Sequence, residues 1–96
     1  MLKREDVISK LNELKPWLQK EYSVREIALF GSFANNTQTD KSDIDILVVL
    51  EKPIGWKFFT LELYLESVFN RKIDLVTKKA LKEQIRDNIL NNLKYV

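Results

Sequence analysis

The 96 residues amount to one domain's worth of chain, 45% apolar and 31% charged, in the proportions of an ordinary globular protein. The chain has no Cys and no His, which excludes disulfides, thiolate or imidazole metal sites, thiol nucleophiles and His-based triads. Sixteen Lys and Arg stand against fourteen Asp and Glu; the net charge of +2 divides as −1 over residues 1–50 and +3 over residues 51–96, too slight for the basic face of a nucleic-acid binder.

Any catalysis must then use carboxylates, hydroxyls, lysines or a metal held by oxygen. No run reaches the ~18 apolar residues of a membrane span, and the charged start MLKREDVISKL is not a signal peptide. Absence of Cys fits a reducing compartment, so a cytoplasmic location is expected.

Val7, Ile8, Leu11, Leu14 and Leu18 recur at helical spacing and predict an amphipathic helix starting near Lys3 or Arg4. Pro16 removes a backbone donor within it, so a kink or a break into two helices is expected there. Glu21 to Ser23 reads as a connection, and Val24 to Phe30 as a strand. Ser32 to Asn36 reads as a short helical turn and the all-polar Thr37 to Ser42 as a loop. Asp43 to Leu50 is apolar on both faces beyond its aspartates, as in a central strand covered on both sides.

Lys52-Pro53-Ile54-Gly55 breaks that strand, and residues 56–69 read as a helix with Phe59, Leu61, Leu63, Leu65 and Val68 on its apolar side. Arg71 to Thr77 predicts a third strand, and Leu81, Ile85, Ile89 and Leu93 a last helix. The expected fold is a single α/β (α+β) domain over residues 1–96, a short mixed sheet of about three strands flanked by helices in the order α-β-α-β-α-β-α.

The chemistry concentrates in GSFANNTQTDKSDIDILVVL. Asp43 and Asp45, at i and i+2 of a strand, point to one face about 6.6 Å apart. Such carboxylates repel unless a cation lies between them, and hard oxygen ligands suit Mg²⁺ when substrate phosphates complete its shell. A loop cap and an exposed edge residue are the alternative reading of Asp-x-Asp.

Gly31-Ser32 follows an apolar strand and opens a helical turn, a place where free N–H groups attract phosphate; a plain turn with an N-cap is the alternative. With only Gly31 and Gly55 in the chain, a P-loop or a G-x-G-x-x-G fingerprint is excluded. Asp74 interrupts Ile73-Asp74-Leu75-Val76, where a buried charge would be costly without a metal or a partner. A strand-edge aspartate paired with a nearby Lys is the other possibility. Three carboxylates meeting at one site can hold two metal ions for nucleotidyl transfer.

Gly31-Ser32, ten residues, Asp43-Ile44-Asp45 and a third carboxylate on a later strand resemble the signature of the minimal nucleotidyltransferases of the DNA polymerase β-like superfamily. The resemblance implies that Asp43 and Asp45 bind two Mg²⁺ ions and that Gly31 and Ser32 hold the β- and γ-phosphates of ATP. It implies that Asp74 binds the metal that activates the acceptor and helps take the proton from its hydroxyl. Asp43, Asp45 and Asp74 are thus the expected catalytic residues. Many relatives carry Arg-Gly where this chain has Asn35-Asn36. Asn tolerates the left-handed conformation a Gly would supply, whereas one contact of the missing Arg is placed in doubt.

Larger members append a helical domain for the acceptor, and none follows the last helix here, so most of the acceptor site is expected on another chain. The small members resemble antitoxins paired with a HEPN-type ribonuclease toxin, which they modify by transferring AMP to a tyrosine. A hetero-oligomer with such a toxin is the expected assembly, a homodimer being one option for the chain alone; no membrane or nucleic-acid partner is expected. Transfer to a small-molecule or nucleic-acid hydroxyl, and a non-catalytic partner-binding module, are the rival readings. Trp56, Phe58 and Phe59 form either a partner-facing patch or part of the core.

Overall fold

The computed structural model describes residues 2–80 and 92–96. Helix α1 (Arg4–Tyr22) opens with the Asp6 carboxylate accepting the Lys3 N–H at 3.0 Å, and Glu5 and Asp6 lie in its first turn, the electrostatically favoured end for acids. It runs unbroken through Pro16. The expected break is therefore absent: Val7, Leu11, Leu18 and Tyr22, on both sides of the proline, are buried on the same core, and that packing outweighs one missing backbone donor. The helix also extends to Tyr22, so only Ser23, left-handed at φ 56°, connects it to the first strand.

Strand β1 (Val24–Phe30) follows, then the four-residue turn α2 (Gly31–Ala34), strand β2 (Ile44–Leu50), helix α3 (Lys57–Phe69), strand β3 (Ile73–Thr77) with a 3-10 turn Lys78–Ala80, and strand β4 (Lys94–Tyr95). The sheet order is β3-β2-β1-β4, with β2 and β3 parallel and the other two pairings antiparallel. β4 was not expected from the sequence. It is two residues long, pairs Tyr95 with Ala28, and is extended by the Val96 N–H on the Ile27 carbonyl at 2.9 Å; too few residues carry it for any periodicity to register. The helix predicted from Leu81, Ile85, Ile89 and Leu93 falls, apart from Leu93, outside the described residues.

A bulge between Val24 and Glu26 resets the alternation of β1, so that Val24, Ile27 and Leu29 all join the core. They meet Ile44, Ile46 and Val48 of β2, Ile73 and Leu75 of β3, and the inner faces of α1 and α3. Ala28 and Leu47 are also fully buried, as a strand covered on both sides requires.

The face of α3 departs from expectation. Leu61 and Leu65 are buried, but Phe59 is 57% and Leu63 64% exposed. Two helical residues apart are about 200° apart, so the two sets cannot share a face. Glu62 and Glu66, on the flank of α3, accept the N–H groups of Leu75 (3.4 Å) and Ile73 (3.2 Å), covering the free edge of β3. Phe58 packs against the core, while Trp56 is 85% exposed with its ring 5.6 Å from that of Phe59.

Candidate active site

The end of β1 and the starts of β2 and β3 lie side by side, because β1 is antiparallel and β3 parallel to β2. That arrangement brings Gly31, Ser32, Asp43, Asp45 and Asp74 to one end of the sheet. Asp45 pairs with Phe30 on one side and stands directly opposite Asp74 on the other. Cα partners of neighbouring strands project to the same face, so the two carboxylates share a surface. Asp43, two residues before Asp45, precedes the strand and is half exposed.

Asp74 is exposed, between the buried Ile73 and Leu75. The costly buried charge inferred from its apolar neighbours is thus not what the fold contains. The alternation of β3 turns those neighbours into the core and Asp74 to the open face.

Gly31 has φ 69°, in the left-handed region. It also lies against Asp45: a β-carbon at position 31 would overlap Oδ2 and sit 3.0 Å from Cγ. Any side chain there would have to displace that carboxylate as well as adopt the left-handed backbone. Ser32 follows, partly exposed, its carbonyl accepting the Thr37 N–H at 2.9 Å. Phe33 anchors the turn in the core, and Asn36 adopts φ 59°, the left-handed geometry anticipated for an Asn there.

Burial, reinforced by Asp74 and then Asp43, raises the Asp45 pKa to about 6. Like charges have been gathered at this position, and a cation would relieve them. Among the described residues no three acidic side chains stand close enough to form a metal site by themselves. An open, all-oxygen set of this kind fits Mg²⁺, which takes one or two carboxylates and completes its octahedron with phosphate and water.

Three cations around the site were not singled out from the sequence. Lys72 Nζ is 4.0 Å from Asp43 Oδ2, Arg4 donates to the Ala34 carbonyl at the end of α2 (3.2 Å), and Arg71 donates to the Thr39 and Ser42 carbonyls. Their one visible signal is the Arg71-Lys72 pair immediately before the Asp74 strand.

An acidic pair at the start of β2, a third carboxylate across from it on β3 and a glycine turn closed against Asp45 meet at one end of the sheet. Residues 11–96 match the Nucleotidyltransferase domain family, and the chain belongs to it. Among its relatives, a Methanocaldococcus jannaschii protein provisionally named a protein adenylyltransferase is 49% identical over 88 residues, 90% of each chain. Protein adenylyltransferase MntA of Thermococcus cleftensis is 40% identical over 97 residues, covering 100% of this chain and 98% of its own. The fold also matches a chain in a crystal structure of a toxin–antitoxin with AMP-PNP, at TM-score 0.71 and 25% identity, over 98% of this chain and 72% of that one. No helix among the described residues is long and apolar enough to cross a membrane.

Proposed function

We propose that this chain is a Mg²⁺-dependent protein adenylyltransferase that moves AMP from ATP to a tyrosine hydroxyl of a HEPN-type toxin and thereby acts as an antitoxin. The observation that carries the reading is Asp45 opposite Asp74 with Gly31 closed against the Asp45 carboxylate. The names of the relatives, and the toxin–antitoxin pair with a bound ATP analogue among the similar folds, support the acceptor class and the nucleotide.

In this reading Asp43, Asp45 and Asp74 would hold the metal, two ions per site. Bound Mg²⁺ would supply charge neutralisation on the triphosphate and acidify the attacking hydroxyl. Gly31 and Ser32 bind the β- and γ-phosphates through backbone N–H groups and the Ser32 hydroxyl. Asp45, with its carboxyl ionised above about pH 6, orients the triphosphate side of the site. Asp74 lies on the open face, where it receives the proton of the incoming hydroxyl. The hydroxyl oxygen bonds to the α-phosphorus in line as the bond to the β-phosphate bridging oxygen breaks, and pyrophosphate leaves. The acceptor arrives from outside, because the carboxylate face is open at Asp43 and Asp74.

The test is to incubate the chain with α-labelled ATP, Mg²⁺ and a HEPN-type toxin from the same source, in parallel with Asp43→Asn/Asp45→Asn. Label on the toxin with wild type and none with the variant is expected. Suppression of toxicity by the variant without label would instead favour a contact inhibitor, and label on added RNA or a small molecule would redirect the acceptor.

A further inference from the structure

The segment that delivers Asp43 is closed on itself and then tied down from outside. Thr39 N–H donates to Ser42 Oγ (2.8 Å) and Ser42 N–H to the Thr39 carbonyl (3.1 Å), forming a tight turn. Arg71 Nη1 donates to both ends of that turn, the Thr39 carbonyl at 3.2 Å and the Ser42 carbonyl at 2.9 Å. The Ser42 carbonyl belongs to the peptide group that continues into Asp43, so holding it fixes how the chain enters β2. The same guanidinium lies over the ring of Phe33, 5.5 Å from its centroid, and Phe33 is the fully buried anchor of the Gly31-Ser32 turn.

Two further links join the same segments: Ile44 N–H to the Lys72 carbonyl at 3.0 Å, and Lys72 Nζ to Asp43 Oδ2 at 4.0 Å. Arg71 itself stands three residues before Asp74. One side chain thus touches the phosphate-side turn through Phe33 and the Asp43 entry through two carbonyls, from the segment that leads into Asp74.

We propose that Arg71 is a positioning residue that sets Asp43 beside Asp45 and Asp74 for metal binding, a role that rests on the reading of the site given above. The geometry asks for arginine in particular. Two donors on one nitrogen reach the two carbonyls while the flat guanidinium face covers an aromatic ring, and the point charge of a lysine cannot do both. Removing a group that orients metal ligands from outside weakens metal affinity by about 10–100-fold.

The test uses Mn²⁺ as the probe, with free ion counted by electron paramagnetic resonance at 25 °C, on wild type, Arg71→Met, Arg71→Lys and Asp45→Asn, with thermal melting of each. Arg71→Met keeps apolar cover over Phe33 and is expected to bind Mn²⁺ about tenfold more weakly or worse, with Arg71→Lys in between. A purely structural role would lower the melting temperature and leave the Mn²⁺ affinity of the folded protein unchanged; that result overturns the proposal while the metal site stands. Should Arg71→Met fail to fold, wild-type affinity in Arg71→Lys overturns it equally. Wild type binding no more Mn²⁺ than Asp45→Asn would overturn the metal reading of the site itself.

Discussion

Gly31 and Asp45 are in contact across the β1–β2 pair, so closely that a β-carbon on residue 31 would overlap the Asp45 carboxylate. The two halves of the sequence motif are therefore one structural unit. Gly31→Ala has to place a side chain in a left-handed conformation, at about 1–2 kcal/mol, and also push Asp45 aside. Denaturant unfolding should show a loss of about 2 kcal/mol or more, and AMP transfer should fall to background. In an Asp45→Ala background the same substitution should cost less, because the overlap has been removed; equal costs in both backgrounds would show that the contact does not couple them.

Asp45 sets a pH dependence. Its pKa is raised from 3.8 to about 6 in the folded chain, so the folded state holds this proton more tightly than the unfolded state does. The stabilising contribution of the protonated form is complete below about pH 4 and is lost as pH rises through 6. Without metal, Asp45→Asn should therefore match wild type in melting temperature near pH 4 and exceed it at pH 7.5. Melting curves of both proteins across that range, in chelator, check the sign. Metal uptake should follow the opposite course and fall away below pH 6.

Metal and nucleotide together should stabilise the fold. At a ligand concentration one hundred times the dissociation constant the gain is about 2.7 kcal/mol. Wild type should show this rise in thermal melting with Mg²⁺ and a non-hydrolysable ATP analogue, Asp43→Asn/Asp45→Asn should not, and chelator should reverse it. Asp74→Asn should keep most of the rise yet lose transfer, since its carboxylate lies on the open face, where the proposed acceptor would approach.

Helix α3 offers a control that separates core from surface. Leu61→Ala and Leu65→Ala, both at buried positions, should each cost about 2–5 kcal/mol. Trp56→Ala and Leu63→Ala, at exposed positions, should stay within about 0.5 kcal/mol of wild type. Chemical denaturation of the four variants reads this directly, and a large loss at Leu63 would place it in the core after all.

Much of the local structure was legible. Val24–Phe30 is the strand its β-branched and apolar residues indicated, and Asn36 took the left-handed turn its side chain tolerates. A break at Pro16 did not occur, because propensity acts on one hydrogen bond, whereas the fold weighs a whole buried face of α1. Phe59 and Leu63 misled because apolar content says that a helix packs, but only its neighbours decide which side does. β4 left no signal, since its partner is Ala28, more than sixty residues away in the chain.

The sequence by itself determined which groups this site has to work with: no thiol, no imidazole, no P-loop, and a Gly-Ser turn spaced from an Asp pair that leads into the next strand. Those follow from residue identity and short-range geometry. Only the tertiary structure decided how they meet. The parallel register put Asp74 opposite Asp45, the alternation of β3 turned it to the open face, and the antiparallel return of β1 pressed Gly31 against a carboxylate fourteen residues on. Arg71 became part of the site in the same way, through carbonyls that carry no trace in the side-chain code. Pairing between distant strands is set by burial of the shared core, and no local pattern contains it.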